Sequence, residues 1–295
     1  MDTVAEARVL GKRVEYPKRY CPEILVAVPR SLNREMYGIA EGDGLFCGWD
    51  CWHAYEASFL LDSGLPVVGV LKLVYACDSR CIVESKSLKL YLGSYNMEAM
   101  GRTREEAVAR FTKQVAEDLS RLLETEVRVG FHADGALTPL PFDFEDYRIM
   151  ENGVEPQEVA CTVYEECPAL LGEGMRREAG EIKVASHLLK SNCKITGQPD
   201  WGSIYIRLKG ACLPDEKALL RYIVSLRNEN HFHEEICEMT YKRLTDLFHP
   251  EALAVSCLYT RRGGIDICPV RASRIDFLPA SLPQAHVLTG RNCRN

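Results

Sequence analysis

Nowhere in its 295 residues does the chain approach the roughly 18 apolar residues that a membrane span requires; Leu65 to Ala76 comes closest and carries Lys72. The N-terminus, Met1-Asp2-Thr3-Val4-Ala5-Glu6-Ala7-Arg8, lacks the basic start and apolar run of a secretory signal, so a cytoplasmic protein is expected. Positive charge is not in excess. With 36 Lys and Arg against 42 Asp and Glu, a net charge of −6 does not build a surface that attracts a nucleic-acid backbone. Also missing is any strand followed by Gly-x-Gly-x-x-Gly and a helix, which leaves a Rossmann nucleotide site unsupported. The remaining composition, 46% hydrophobic and 26% charged, excludes disorder, collagen and coiled coil.

Cysteine is the residue in surplus, at thirteen. A cytoplasmic setting keeps thiols reduced, so a disulfide framework is not expected and most of these residues read as small buried hydrophobes. Cys47-Gly48-Trp49-Asp50-Cys51 and Cys77-Asp78-Ser79-Arg80-Cys81 come nearest to metal knuckles, but both hold three residues between the thiols instead of the two usual for zinc ribbons. No metal is expected.

The chain reads as one pattern written twice. Pro66–Tyr75 and Cys81–Tyr95 are rich in Val, Leu and Tyr and predict a β-hairpin around Asp78-Ser79-Arg80. The capping box Thr103-x-x-Glu106, with Val108, Phe111, Val115, Leu119 and Leu122 behind it, predicts a helix, and Glu126–Phe131 a short strand. In the second half, Ile182–Asn192 and Trp201–Lys209 predict strands around a turn containing Gly197, Pro199 and Gly202. Helices are predicted from Pro214 to about Arg227 and from Phe232 to Phe248, then strands over 252–260 and 265–270. Strands, helices and strands in that order make an antiparallel sheet with helices on one face, an α+β architecture. The expected division is a first unit over 1–133, a connection over 134–180 with little regular structure, and a second unit over 181–295.

Three polar clusters could carry chemistry. In Asn192-Cys193-Lys194-Ile195-Thr196-Gly197-Gln198-Pro199-Asp200, a thiol at a strand end precedes a carboxylate by seven residues across a turn, a spacing that suits a nucleophile and a proton donor. Lys194 beside the thiol would favour the thiolate. The plain structural reading is a buried cysteine and a turn-capping aspartate. In Asn228-Glu229-Asn230-His231-Phe232-His233-Glu234-Glu235, Asn230 or His231 could cap a helix whose first turn is suitably acidic. A Glu there also offers two acceptors to the N–H and NH2 edge of a guanine-like base. His231, His233 and Cys237 lack a fourth ligand at metal spacing. In Glu84-Ser85-Lys86-Ser87-Leu88-Lys89, alternation places Glu84 and Lys86 on one strand face. Its lysines and serines, like Arg261-Arg262-Gly263-Gly264, could hold phosphates, although each alone reads equally as a solvated edge or turn.

With Ser94-Tyr95-Asn96 after it, the segment Glu84-Ser85-Lys86-Ser87-Leu88-Lys89-Leu90-Tyr91 resembles the signature of the NADPH-dependent 7-cyano-7-deazaguanine reductases, the nitrile reductases of queuosine biosynthesis. The resemblance extends through Val28–Arg34, Leu188–Cys193 with Gln198-Pro199-Asp200-Trp201-Gly202, Phe232-His233-Glu234 and Tyr259–Gly264, from near residue 28 to about 270, and to the long, two-unit form. It implies tandem tunnelling-fold units. It implies that Cys193 attacks the nitrile carbon to form a thioimide and that Asp200 donates the proton. It also implies that Glu84 and Glu234 hold the base, with His233 beside it and Val83 and Ser85 contributing, and that Ser85, Lys86, Arg262 and Gly263 belong to the NADPH site. A homodimer is expected, since tunnelling units close into rings. His231 departs from the pattern, which usually has Glu there. The rival readings are a tunnelling-fold transferase that forms an amidine on tRNA and a binding protein of the same fold without catalysis.

Overall fold

A computed structural model describes residues 16–40, 42–133 and 139–292. The N-terminal segment read for a leader, the first residues of the expected connection and the thirteenth cysteine, Cys293, lie outside the described residues. In chain order the elements are β1 (Ala27–Pro29), α1 (Ser31–Arg34), β2 (Cys47–Leu60), β3 (Pro66–Ala76), β4 (Cys81–Val83), α2 (Ser85–Gly93), α3 (Arg104–Leu123), β5 (Val127–His132) and β6 (Arg148–Ile149). They continue with β7 (Gly180–Cys193), β8 (Pro199–Gly210), α4 (Glu216–Ser225), β9 (Asn230–His231), α5 (His233–Phe248), β10 (Ala252–Tyr259) and β11 (Ile265–Ala272).

One sheet runs through the molecule in the order β5-β3-β2-β11-β10-β8-β7-β6, antiparallel except for the short β6 and β9, each of which pairs β7 in parallel. The α+β expectation holds, and two long strands followed by two helices occur twice. The long strands even share an irregularity: β2 shifts register against β3 at Ala54/Ala57, and β7 against β8 at Ser186/Leu189. The halves join where β2 pairs β11, with Cys51 opposite Cys268. Trp52, Phe59, Leu73, Phe111 and Leu119 form one apolar core under α2 and α3, and Leu189, Ile204, Tyr222, Ile236 and Leu253 form another under α4 and α5. The opposite face is covered by Phe144 from the connection and Leu282 from the C-terminal segment, which pack on Val74, Tyr205 and Val270.

The structure corrects several expectations. Cys81–Tyr95 is not a strand: β4 stops at Val83, Glu84 caps α2 by accepting from Ser87 N at 3.1 Å, and the Ser87 hydroxyl donates to the Glu84 carbonyl at 2.8 Å. Glu84 and Lys86 therefore do not share a strand face. Polar residues at an N-cap look like a strand edge when only alternation is read. The partners of β3 are β2 and β5, and the strand Cys47–Leu60, buried along most of its length, was hidden because two-sided burial erases alternation. Neither Asn230 nor His231 caps α5. Both lie in β9, and Phe232 is the N-cap residue, its N–H donating to Glu235 at 2.6 Å. Asp200 and Gly202 lie within β8 instead of in the turn, which spans 194–198.

Candidate active site

Cys193 ends β7, and the backbone turns back at once. Cys193 N–H donates to the Gln198 carbonyl at 2.8 Å, Gly197 N–H donates to the Cys193 carbonyl at 2.9 Å, and Gly197 takes the left-handed conformation (φ +64°) that glycine adopts without strain. Register puts Ser191 opposite Asp200. Alternate residues share a face, so Cys193 points to the same side as Ser191 and Asp200. It stands diagonal to Asp200, a separation of about 7–8 Å in ordinary sheets, which leaves room for a two-atom group between thiol and carboxylate. Both residues are buried, Cys193 to 8% exposure and Asp200 to 2%.

The surroundings of Asp200 follow from Gly202, two residues on along the same face. A Cβ there would come 3.0 Å from the Leu258 carbonyl oxygen and 3.1 Å from the Tyr259 ring, so glycine lets that ring lie close across the strand. His233, the first residue of α5, stacks on Tyr259 with ring centroids 3.9 Å apart and an angle of 21°. Its Nε2 thereby comes 3.3 Å from Asp200 Oδ1. On the other side Arg262 Nη1 donates to the same oxygen, while Nη2 donates to Gln198 Oε1 at 2.5 Å. Burial alone would push the Asp200 carboxyl up; His233 and Arg262 outweigh it and hold the group below the ordinary carboxylate range. Asp200 therefore rests as the carboxylate and must take up a proton before it can give one.

Glu234 is set oppositely. It is 3% exposed, and its Oε1 is buried with no hydrogen-bond partner. Burial and the Asp50 carboxylate push it up to about 8 against the pull of Arg30 and Arg271. Behind it lies a buried charge network in which Arg30 and Arg271 bind Asp50, and Arg34 and Arg271 bind Glu238, each at 2.7 Å. Tyr75 of β3 borders this network: the Arg30 guanidinium lies 5.8 Å from its ring centroid, and burial, with the Asp50 and Glu234 carboxylates, pushes its hydroxyl well above the usual tyrosine value.

Ser85 and Lys86 occupy the first turn of α2, half-buried. Lys89, about one turn further along that helix, faces the Arg262–Gly264 turn. A Cβ on Gly263 would meet Lys89 Nζ at 3.0 Å, and one on Gly264 would meet the Glu56 carboxyl at 2.5 Å. The two glycines keep open a cavity of about 440 Å³ lined by Lys18, Glu56, Ala57, Lys89 and Met97. The Lys194 Nζ lies 2.5 Å from Asn33 Oδ1 and 3.5 Å from Glu235. His231 is the backbone partner of Cys193 across β9 and β7, and its ring bonds Glu229 at 3.0 Å and the Tyr37 hydroxyl at 2.9 Å. Burial opposes its charge, but Glu235 and Glu229 raise its pKa above the usual value. Among the described residues, the group with metal-ligand spacing is His53, Asp266 and Cys268, and Arg291 already reaches His53 Nδ1 at 2.7 Å.

The structure therefore brings His233 and Arg262 onto Asp200, with Cys193 on the same hairpin face, while Val83 and Glu84 stand at the junction of β4 and α2. Sequence reading gave no role to Tyr75 and Asp50, and none of their own to Arg30 and Tyr259 within their motifs, since the contacts that matter for them come from distant parts of the chain. Lys89 was visible within its motif but was given no role of its own.

Comparison with known proteins matches residues 16–131 to the family model described as nitrile reductase, 7-cyano-7-deazaguanine-reductase N-term, and residues 199–275 to that of QueF-like protein. The chain is 37% identical over 273 residues to a protein of Colwellia psychrerythraea, covering 92% of this chain and 93% of that one. It is 41% identical over 274 residues to one of Azoarcus sp., covering 92% of each, and 40% identical over 264 residues to one of Hahella chejuensis, covering 90% and 92%. All three are called NADPH-dependent 7-cyano-7-deazaguanine reductase.

Proposed function

The chain belongs to the NADPH-dependent 7-cyano-7-deazaguanine reductase family, and from that premise we propose that it reduces the nitrile of 7-cyano-7-deazaguanine to 7-aminomethyl-7-deazaguanine through a thioimide on Cys193. The observation that carries this reading is the single hairpin face shared by Cys193 and Asp200, with His233 against the carboxylate.

A nitrile carbon is a poor hydride acceptor. Attack by the Cys193 thiolate forms a C–S bond and breaks one π bond of C≡N, and the freed electron pair on nitrogen takes a proton from Asp200. After the first reduction the C–S bond breaks, Cys193 leaves as thiolate, and the resulting imine is reduced to the amine with a second protonation at nitrogen. NADPH supplies the two hydrides. Glu234 accepts from the base's N–H and NH2 edge, with Glu84 and the Val83 backbone completing the grip and His233 packed beside it.

The residues fit a phosphorylated cofactor. Arg262 is partly exposed, Gly263 and Gly264 hold open a cavity beside Lys89 and Lys18, and Ser85 and Lys86 stand at the N-terminal turn of α2, where backbone N–H groups favour anions. Ser85, Lys86, Arg262 and Gly263 would hold it. No helix among the described residues is long and apolar enough to cross a membrane. A cytoplasmic homodimer that does not itself bind nucleic acid completes the reading. The acidic net charge supports the last point, and the outer edge of β5, unpaired among the described residues, offers a partner strand a place to bind. The division at 1–133 and 181–295 stands with it as a proposal.

Mixing protein, nitrile base and NADPH tests the reading. The expected result is a protein-plus-base mass with Cys193, none with Cys193→Ala, and two cofactors oxidised per nitrile consumed. An adduct without cofactor oxidation would point to the transferase, and neither signal to a binding protein.

A further inference from the structure

The nucleophile stands at a strand end whose backbone support is thin. The turn after Cys193 is exposed from Thr196 to Pro199, and the strand beyond this end of β7 is β9, two residues long. There Asn192 N–H donates to the Glu229 carbonyl at 2.7 Å, and Cys193 stands beside His231. Side chains supply a further hold. Glu235, 4% exposed in the first turn of α5, lies between two cations: its Oε1 is 3.5 Å from Lys194 Nζ, and its Oε2 is 3.8 Å from His231 Nδ1. We propose that Glu235 is the positioning residue of the nucleophile: Lys194, next to Cys193 in sequence, and His231, next to it across the strands, share its carboxylate and so fasten the thiol's backbone to the helix that carries His233 and Glu234. This rests on the functional reading above and deepens it.

The clasp reaches the first half of the chain as well. Lys194 Nζ also meets Asn33 Oδ1 at 2.5 Å, and the His231 ring meets the Tyr37 hydroxyl at 2.9 Å. Asn33 lies in α1 and Tyr37 in the turn that follows it, and α1 is itself held to α5 where Arg34 meets Glu238 at 2.7 Å. Cys193 is thus placed by segments far apart in sequence. The Glu235 carboxylate does two things at once: Oε2 accepts from the Phe232 N–H at 2.6 Å, which caps α5, and its charge holds the two cations. The two roles separate, because an amide keeps an acceptor for the cap and loses the charge. Without that charge, two cations are left a few ångströms apart beside the thiol, in an interior where an unpaired charge is costly. A reacting atom misplaced by about 1 Å costs about 10²-fold in rate. Loss of the Glu235 charge should therefore slow the attack of Cys193 while recognition of the base, which Glu234 carries, stays in place.

The experiment measures rate and affinity separately, with 7-cyano-7-deazaguanine as the probe. Adduct formation is followed by intact mass, and affinity for the base by calorimetry in a Cys193→Ala background. Glu235→Gln, which keeps the cap of α5, should slow the adduct by about tenfold or more per folded molecule while base affinity changes by less than about twofold. Lys194→Met should slow it similarly, and Lys194→Arg, which keeps the charge, should restore most of the rate. Residues that act through one contact are not additive, so Lys194→Met combined with Glu235→Gln should be no slower than the slower single variant. A Glu235→Gln enzyme with an unchanged melting curve and the wild-type adduct rate overturns the inference. So do losses of rate matched by equal losses of base affinity, and losses that multiply in the double variant. Should Glu235→Gln melt early, the Lys194 pair decides: equal rates for Lys194→Met and Lys194→Arg overturn the inference. All of these leave the functional reading intact. Absence of any adduct in the wild type would bring down the functional reading and this inference together.

Discussion

Binding of the base should expel a proton, and the proton should come from Glu234. In the empty pocket burial and Asp50 hold this carboxyl up to about 8, so at pH 7 it is neutral in about nine molecules out of ten. A neutral carboxyl presents an O–H where the base presents N–H donors; an ionised one presents two acceptors. Binding therefore selects the ionised form, and at pH 7 about 0.9 proton should leave per base bound, falling to about 0.1 at pH 9. The association constant should rise close to tenfold per unit of pH below about 8 and level off above it. Cys193→Ala keeps the equilibrium non-covalent, and calorimetry in two buffers of different ionisation enthalpy counts the proton directly. Stability gives a second check. The folded-state value lies above the ordinary carboxylate value of 4.5, so the empty protein loses stability as pH rises from about 4.5 to 8. Glu234→Gln should flatten that slope and be more stable than wild type at pH 8. A proton count near zero at pH 7, with affinity flat across the range, would refute both the pairing of Glu234 with the base and its neutral resting state.

Asp200→Asn should keep the fold and bind the base but lose turnover by roughly 10²-fold or more, as for any positioned proton donor, measured as cofactor oxidation per folded molecule. Glu238→Gln should cost about 3–5 kcal/mol in denaturant titrations, because Arg30, Arg34 and Arg271 would keep their charge with one fewer partner in the interior. Burial opposes its charge, but the three arginines hold Glu238 down at about 2. It therefore adds stability above 4.5 that is lost as pH falls toward 2, and the same variant should lose that part of the acid-unfolding slope. Glu84→Ala should weaken the base far more than NADPH, whereas Lys86→Ala should do the reverse, in separate titrations of each ligand. Glu84→Ala should also cost about 1 kcal/mol of stability through the lost cap of α2.

Much of the architecture was legible because it is written in local signals. The Thr103 to Leu122 pattern is the observed α3, with Thr103 accepting from Glu106 N at 3.2 Å, and the strands and helices of the second half fall within a few residues of their expected bounds. The family was legible for the same reason, since Cys193, Asp200, His233 and Glu234 sit in short motifs that carry the resemblance. What the linear pattern could not express is two-sided burial and long-range pairing. The strand Cys47–Leu60 faces protein on both sides and so shows no alternation, and α2 was mistaken for a strand because its cap residues are polar and its buried face short. Tertiary structure alone decided that Gly202 makes room for Tyr259, that Tyr259 carries His233 to Asp200, and that Arg262 arrives from a turn 62 residues away to hold that carboxylate charged. The charge state of Asp200 and the neutrality of Glu234 are likewise not properties of their motifs. Each is set by which charges the fold brings within a few ångströms, in an interior too dry to screen them.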